Sequence, residues 1–269
     1  MTAATDPGPV PLHSPVSSGA ASPLPATARR QRTLLLPDID WVTIAGGEFV
    51  YQQGERRQLP AFRIARYPVT NIQYQTFIDA GGYRDDRWWQ DLKRPEPEPS
   101  HWPQANRPRT NVDWYEAVAF CRWLSAPLAY EIRLPTEKEW ERAARGVEGQ
   151  EYPWGNDYES GRANINETWS SDQVGAWNLQ QTTAVGVYPQ GASSEGVLDL
   201  SGDVWEWCLN KYDHPDQIQA DSSGDIRVLR GGSYDDYARR ARGSGRLGRH
   251  TRYRDGFSGV RLASLAPIP

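Results

Sequence analysis

Gly196-Val197-Leu198-Asp199-Leu200-Ser201-Gly202-Asp203-Val204-Trp205-Glu206-Trp207 is the stretch on which the reading of this chain turns. It closes a run, beginning near Gly146, in which glycine, proline, asparagine and tryptophan dominate and no helical or strand period persists. A run of this kind predicts long ordered loops, which inside a compact domain are usually functional or pinned by something. The 12 tryptophans all precede residue 208 and offer large apolar bodies to pack under those loops. Read on their own, Asp203 and Glu206 are a hydrogen-bond clamp on the local backbone.

Toward the N-terminus the chain becomes regular. Three capping boxes announce helices: Thr70 with Gln73, Asp113 with Glu116, and Thr136 with Glu139. In each, a short polar side chain caps the first turn and a Gln or Glu three residues on reaches back. The second helix carries Trp114, Ala117, Val118, Cys121 and Leu124 on one apolar face. The third follows Leu134-Pro135 and ends near Gly146. Trp41-Val42-Thr43-Ile44 and Glu48-Phe49-Val50, split by Gly46-Gly47, predict a strand pair or a bulged strand, and Ala61-Phe62-Arg63-Ile64 a further short strand. Residues 1–36 are rich in Pro, Ala, Ser and Thr, a composition that cannot offset chain entropy by burial, so they read as a disordered tail or linker. The folded domain is assigned to residues 37–269, with an α+β architecture of few short strands, about three helices and long ordered loops.

Composition narrows the function classes. The 269 residues suffice for one large domain, and no apolar run reaches the roughly 18–20 residues of a membrane span. The N-terminus lacks the basic start and apolar core of a signal peptide, so a cytoplasmic address is the default. Cys121 and Cys208 cannot build a disulfide framework and match no zinc spacing; both read as buried thiols. His13, His101, His214 and His250 are scattered without metal-ligand spacing. The formal net charge of −4 hides an arginine-rich segment from Arg227 to Arg261. It either attracts anionic partners or spends its arginines on internal pairing.

Collinear motifs then connect the chain to a family. They are Ala45-Gly46-Gly47-Glu48-Phe49, Tyr67-Pro68-Val69-Thr70-Asn71, Arg133-Leu134-Pro135-Thr136-Glu137-Lys138-Glu139-Trp140, Tyr152-Pro153-Trp154-Gly155 and Ala163-Asn164-Ile165. The opening stretch follows, then Arg230-Gly231-Gly232-Ser233-Tyr234 and Gly259-Val260-Arg261-Leu262. In this order they resemble the formylglycine-generating enzyme (sulfatase-modifying factor) family, whose fold is a decorated C-type-lectin-like one. The resemblance implies that fold over about 41–263. It also implies an active-site cysteine pair shortly after Arg-Gly-Gly-Ser, soft ligands suited to Cu(I). Here Asp236 and Ala241 stand at those positions, so the resemblance implies neither copper nor cysteine oxidation. Family members also hold structural calcium, with hard oxygen ligands from loops. By resemblance, Asn164 and Ile165 would serve one site, and Asp203, Val204 and Glu206 another.

The C-terminal segment 234–258 changes character. It has no Trp, Lys, Glu, Gln or Met, and mixes Tyr, Asp, Ser, Gly, Leu, Phe and His with arginines including Arg242, Arg246 and Arg254. This resembles the variable segment of diversity-generating retroelement variable proteins, in which adenines of AAC-type codons are scrambled. The varied positions would be Asp235, Asp236, Tyr237, Arg240, Gly245, Leu247, His250, Tyr253, Asp255, Gly256 and Phe257, which with Tyr234 would bind the ligand. Rigid aromatic anchors beside small polar residues are what an adaptable binding surface needs. The leading expectation is a non-catalytic module that binds a protein or other macromolecular ligand through 234–258. The alternatives are a non-cysteine oxidase or oxygenase using His250 with Asp235, Asp236 and Asp255, and a nucleic-acid binder using the basic segment.

Overall fold

The computed structural model describes residues 36–265, Ala129 excepted. The tail assigned to residues 1–36 lies outside the described residues apart from Leu36, which packs on the core. Four strands come first: β1 (Trp41–Ile44), β2 (Gly47–Tyr51), β3 (Glu55–Leu59) and β4 (Phe62–Ala65). Helices α1 (Asn71–Asp79), α2 (Trp114–Ser125) and α3 (Glu137–Arg145) follow. Strands β5 (Trp205–Lys211), β6 (Ile226–Arg230), β7 (Arg246–His250), β8 (Ser258–Gly259) and β9 (Ala263–Ser264) complete a mixed α+β fold.

All three capping boxes form. In α2, for example, the Glu116 amide donates to Asp113 Oδ1 at 2.9 Å, and the Asp113 amide donates to Glu116 Oε2 at 2.8 Å. The single apolar face expected for α2 is too narrow. Tyr115, Glu116, Ala119, Phe120 and Trp123 are buried as well, because the helix is wedged inside the main core cluster.

The expected pairing of the first two strands is corrected. β1 pairs antiparallel with β4, and β2 pairs with β3, whose Glu-Arg-Arg-Gln-Leu sequence carries no strand signal. The chain changes sheets at Gly46, where a Cβ would stand 2.6 Å from the Ala61 amide nitrogen, so the close backbone approach demands glycine. The C-terminal sheet runs β7-β6-β5-β8, with β5 and β8 parallel and the other pairs antiparallel. It carries the site described below.

Between α3 and β5, one three-residue 3-10 turn (Pro189–Gly191) is the helical structure among the described residues. The loops are pinned, though less by tryptophan than the sequence suggests: Trp169 and Trp177 are 41% and 61% exposed. Buried polar side chains do more of the holding. The Glu167 carboxylate accepts from Tyr158 Oη at 2.7 Å, Ser160 Oγ at 2.8 Å and the Gly161 amide at 3.1 Å. A buried acceptor satisfied this fully fixes loop backbone that has no ladder of its own. Among the described residues no helix is long and apolar enough to cross a membrane.

Candidate functional site

The side-chain period of β7 decides what the C-terminal segment presents. Leu247 and Arg249 point to one face, into a cavity of about 210 Å³. Arg246, Gly248 and His250 point to the other. There Arg246 pairs with Glu137 and lies over the Tyr212 ring, while His250 lines a separate depression with Lys211 and His214. The cavity on the Arg249 face is completed by Asp235, Asp255, Tyr253 and Phe257 from the flanking loops, over a floor of Trp205 and Asp236.

Seven of the proposed binding residues therefore line one cavity: Asp235, Arg240, Leu247, Tyr253, Asp255 and Phe257 on its walls and Asp236 on its floor. Asp236 and the remaining five do not serve as a displayed surface. Tyr234 is buried, packed on Phe257 at 5.0 Å and edge-on to Trp102 at 6.1 Å. Asp236 reaches the cavity floor as a structural acceptor, taking hydrogen bonds from Trp205 Nε1 at 2.7 Å, the Ser233 amide at 3.0 Å and Ser233 Oγ at 2.7 Å. Tyr237 stacks against Trp169 at 5.5 Å, outside the cavity lining. A Cβ at Gly245 would stand 2.6 Å from the Arg240 carbonyl oxygen, and one at Gly256 would stand 3.1 Å from the His101 ring. These contacts resist free variation of either glycine. His250 faces away, so the ligand set His250, Asp235, Asp236 and Asp255 is not brought together. Among the described residues no group of three His, Cys, Asp or Glu is arranged to hold a metal ion.

Charge in the cavity is unevenly compensated. Arg240 pairs with Asp236 at 3.2 Å. Arg249 lies over the Tyr253 ring at 5.0 Å and donates to the Gly248 carbonyl, but among the described residues it pairs with no carboxylate. Asp235 meets no cation among them either, and its carboxyl is raised from the ordinary value by partial burial and then by neighbouring Asp236. Asp255 Oδ1 accepts from the Phe257 amide at 3.0 Å.

Most of the remaining arginines are internal. Arg227, Arg230 and Arg261 are fully buried, Arg230 against Glu137 and Glu141, and Arg227 4.0 Å over the Trp114 ring. Arg254 pairs with Glu116 and Glu98. Arg227, Arg230, Arg246, Arg254 and Arg261 are thus consumed in the fold, while Arg239 and Arg252 remain exposed.

The proposed cation ligands do not divide as the two expected sets. Both oxygens of Glu206 are engaged, by Arg261 at 2.7 Å each and by Trp140 Nε1 at 2.6 Å, so Glu206 does not fit as a metal ligand. Asn164 and Asp203 do fit. Asn164 Nδ2 donates to Asp203 Oδ1 at 2.7 Å, which also accepts from the Thr183 amide at 2.8 Å. Among the described residues this leaves Asn164 Oδ1, Asp203 Oδ2 and Thr182 Oγ1 buried without a partner. Asp203 holds a left-handed backbone, φ 63°, next to Gly202, where a Cβ would clash 2.3 Å from the Asn164 carbonyl. Burial, then the charge of Asp199, pushes the Asp203 carboxyl up to about 7. Orphaned hard oxygens around a desolvated carboxylate are the donor chemistry that Ca²⁺ takes. Ile165 and Val204, next in sequence to Asn164 and Asp203, are buried as well.

With this geometry in view, the chain matches the sulfatase-modifying factor enzyme 1-like domain over residues 27–266. The chain belongs to the sulfatase-modifying factor enzyme 1-like family. Among family relatives, a hercynine oxygenase of Mycolicibacterium thermoresistibile is 36% identical over 244 residues, covering 76% of this chain and 51% of that protein. The chain spans about half the length of the hercynine oxygenases it matches. An inactive C-alpha-formylglycine-generating enzyme 2 of Bos taurus is 30% identical over 258 residues, 77% of this chain and 78% of that one. The solved structure of Treponema denticola variable protein 1 superposes with a TM-score of 0.62 at 21% identity, covering 84% of this chain and 95% of that one. The fold is accordingly the formylglycine-generating-enzyme-like, C-type-lectin-like one of this family.

Proposed function

We propose that this family member is a ligand-binding module whose site is the cavity between β7 and the loops carrying Asp235 and Asp255. One observation carries the reading. At the positions where the family resemblance implies a cysteine pair, Asp236 is locked by Trp205 and Ser233, and Ala241 is fully buried. Beside them lies an open cavity with aromatic walls and uncompensated charge. Convergent polar groups on an aromatic-lined concavity are the ordinary constitution of a binding site. Its volume falls below the roughly 300–1,000 Å³ of drug-sized pockets, so a small molecule or a single inserted side chain fits it. If codons of this segment are diversified, the variation belongs at Asp235, Arg240, Leu247, Tyr253, Asp255 and Phe257; sequencing the flanking DNA for a near-duplicate differing at adenines tests that directly. Calcium at Asn164 and Asp203 would brace the loop beneath the site.

The test of the binding site is a thermal-shift screen of small metabolites against the wild-type chain and Leu247→Trp, which fills the cavity. Compounds that stabilise the wild type and leave the variant unmoved are expected. No hit, or hits that stabilise both equally, would sink the proposal.

The identity to hercynine oxygenases favours a second reading, oxygenase chemistry in a longer assembly that supplies what this chain does not bring together. Stoichiometric iron or copper retained through purification would favour it over the first.

A further inference from the structure

The charge pattern of the cavity specifies its ligand more narrowly than size does. Arg240 is neutralised by Asp236. Arg249 is not neutralised by any carboxylate of the described residues, and neither Asp235 nor Asp255 meets a cation among them. The free guanidinium comes from β7 and the free carboxylates from the loops on either side, and all three line one cavity of about 210 Å³. Charged groups converging on one apolar-lined concavity are suited to hold a ligand of complementary charge. Arg249 is held in place by its stack on Tyr253, so it is oriented without being satisfied. The same cavity is lined by Leu247, Phe257 and Trp205, which give an apolar body somewhere to lie.

Building on the reading of this cavity as a binding site, we propose that its ligand is a small zwitterion, a free amino acid or close derivative. Its carboxylate meets Arg249, its ammonium meets Asp235 and Asp255, and its side chain lies against Leu247 and Phe257. A planar guanidinium takes a carboxylate through two parallel hydrogen bonds, and the paired aspartates take an ammonium as point charges. A ligand with only one of these charges forfeits the pairing at the other end of the site, which discriminates against it.

The experiment uses the full chain and a panel of the common free amino acids. Each is accompanied by its decarboxylated amine and its deaminated acid, and binding is read by ligand-observed NMR and titration. At least one amino acid is expected to bind ten-fold or more tightly than both of its single-charge counterparts. Arg249→Gln is expected to erase its advantage over the amine, and Asp235→Asn to reduce its advantage over the acid. Circular dichroism checks that both variants fold. An amine or acid that binds as well as the parent amino acid, and is lost in Leu247→Trp, overturns the zwitterion and leaves the cavity as a binding site. Absence of binding by any member overturns the zwitterion outright, and a blank metabolite screen would separately remove the binding-site reading.

Discussion

Glu206 and Arg261 face each other inside the core through two charge-assisted hydrogen bonds of 2.7 Å, with both side chains essentially out of solvent. Arg261 also donates to the carbonyls of Ala65, Arg66, Leu198 and Asp199, so one guanidinium ties β5 to the edge of β4 and to the loop before Ser201. Removing one partner of such a pair strands a buried charge, at a cost of about 3–5 kcal/mol. Arg261→Met is expected to lose stability in that range by urea denaturation. Glu206→Gln keeps an acceptor for Arg261 and is expected to lose less. Equal and negligible losses from both variants would mean that the pair does not hold these elements together.

A second buried pair makes stability depend on pH. Burial, and then the charge of Glu116, pushes the Asp113 carboxyl up to about 7; burial also raises Glu116. Because the folded value lies above the ordinary one, the folded state holds the proton more tightly than the unfolded chain. The associated stability is complete below about pH 4 and lost as pH rises through 7. Asparagine is as good an N-cap as aspartate. Asp113→Asn is therefore expected to flatten the fall in melting temperature between about pH 5 and 8 while leaving α2 capped. An unchanged slope in that variant would assign the pH dependence elsewhere.

Much of this fold is legible in the sequence because local rules and tertiary context agree. Thr70, Asp113 and Thr136 start helices in the sequence and in the structure for the same reason: a short oxygen that satisfies an orphan amide. β3 is not legible, since its side chains are mostly exposed and its pairing with β2 comes from register alone. For the site, the segment stands out by its composition, but composition does not say which way a residue points. Leu247 and His250 look alike as candidates, and only the pleat of β7 separates them. Arg249, which composition does not single out, has a detectable signal: it lies two residues from Leu247 and so shares its face. The Glu206–Arg261 pair, 55 residues apart in sequence, has none.

The position equivalent to the first cysteine tests how far the site is committed to its present chemistry. Asp236 satisfies two buried donors, Trp205 Nε1 and the Ser233 amide, besides the Ser233 hydroxyl. Asp236→Cys leaves them without a strong acceptor and is expected to cost about 1–3 kcal/mol per stranded group. Ala241 is walled in by Gly232, where a Cβ would stand 3.0 Å from the Ala241 Cα, so Ala241→Cys is expected to overpack by about 1–3 kcal/mol. Denaturation midpoints of the two single variants check both figures. A double variant as stable as the wild type would mean that this loop still accepts the cysteine arrangement.

Asn164, Thr182 and Asp203 each carry a buried oxygen that no described residue satisfies. A bound Ca²⁺ adds its binding energy to the folded state alone, so saturating calcium is expected to raise the melting temperature and a chelator to reverse it. Asp203→Ala removes the single carboxylate of the set and is expected to abolish the response. Glu206→Gln is expected to preserve the response, because that carboxylate already belongs to Arg261 and Trp140. This contrast separates a cation site from a merely fragile loop: both variants lower stability, but only one should silence calcium. Mg²⁺ at equal concentration is expected to stabilise less, since loop oxygens of mixed type suit the looser coordination of the larger ion. Identical melting curves with calcium and with chelator would remove the cation. The three buried oxygens would then have to be satisfied by water, and Asp203→Asn, which lowers the cost of burying a charge, should stabilise the protein instead of weakening it.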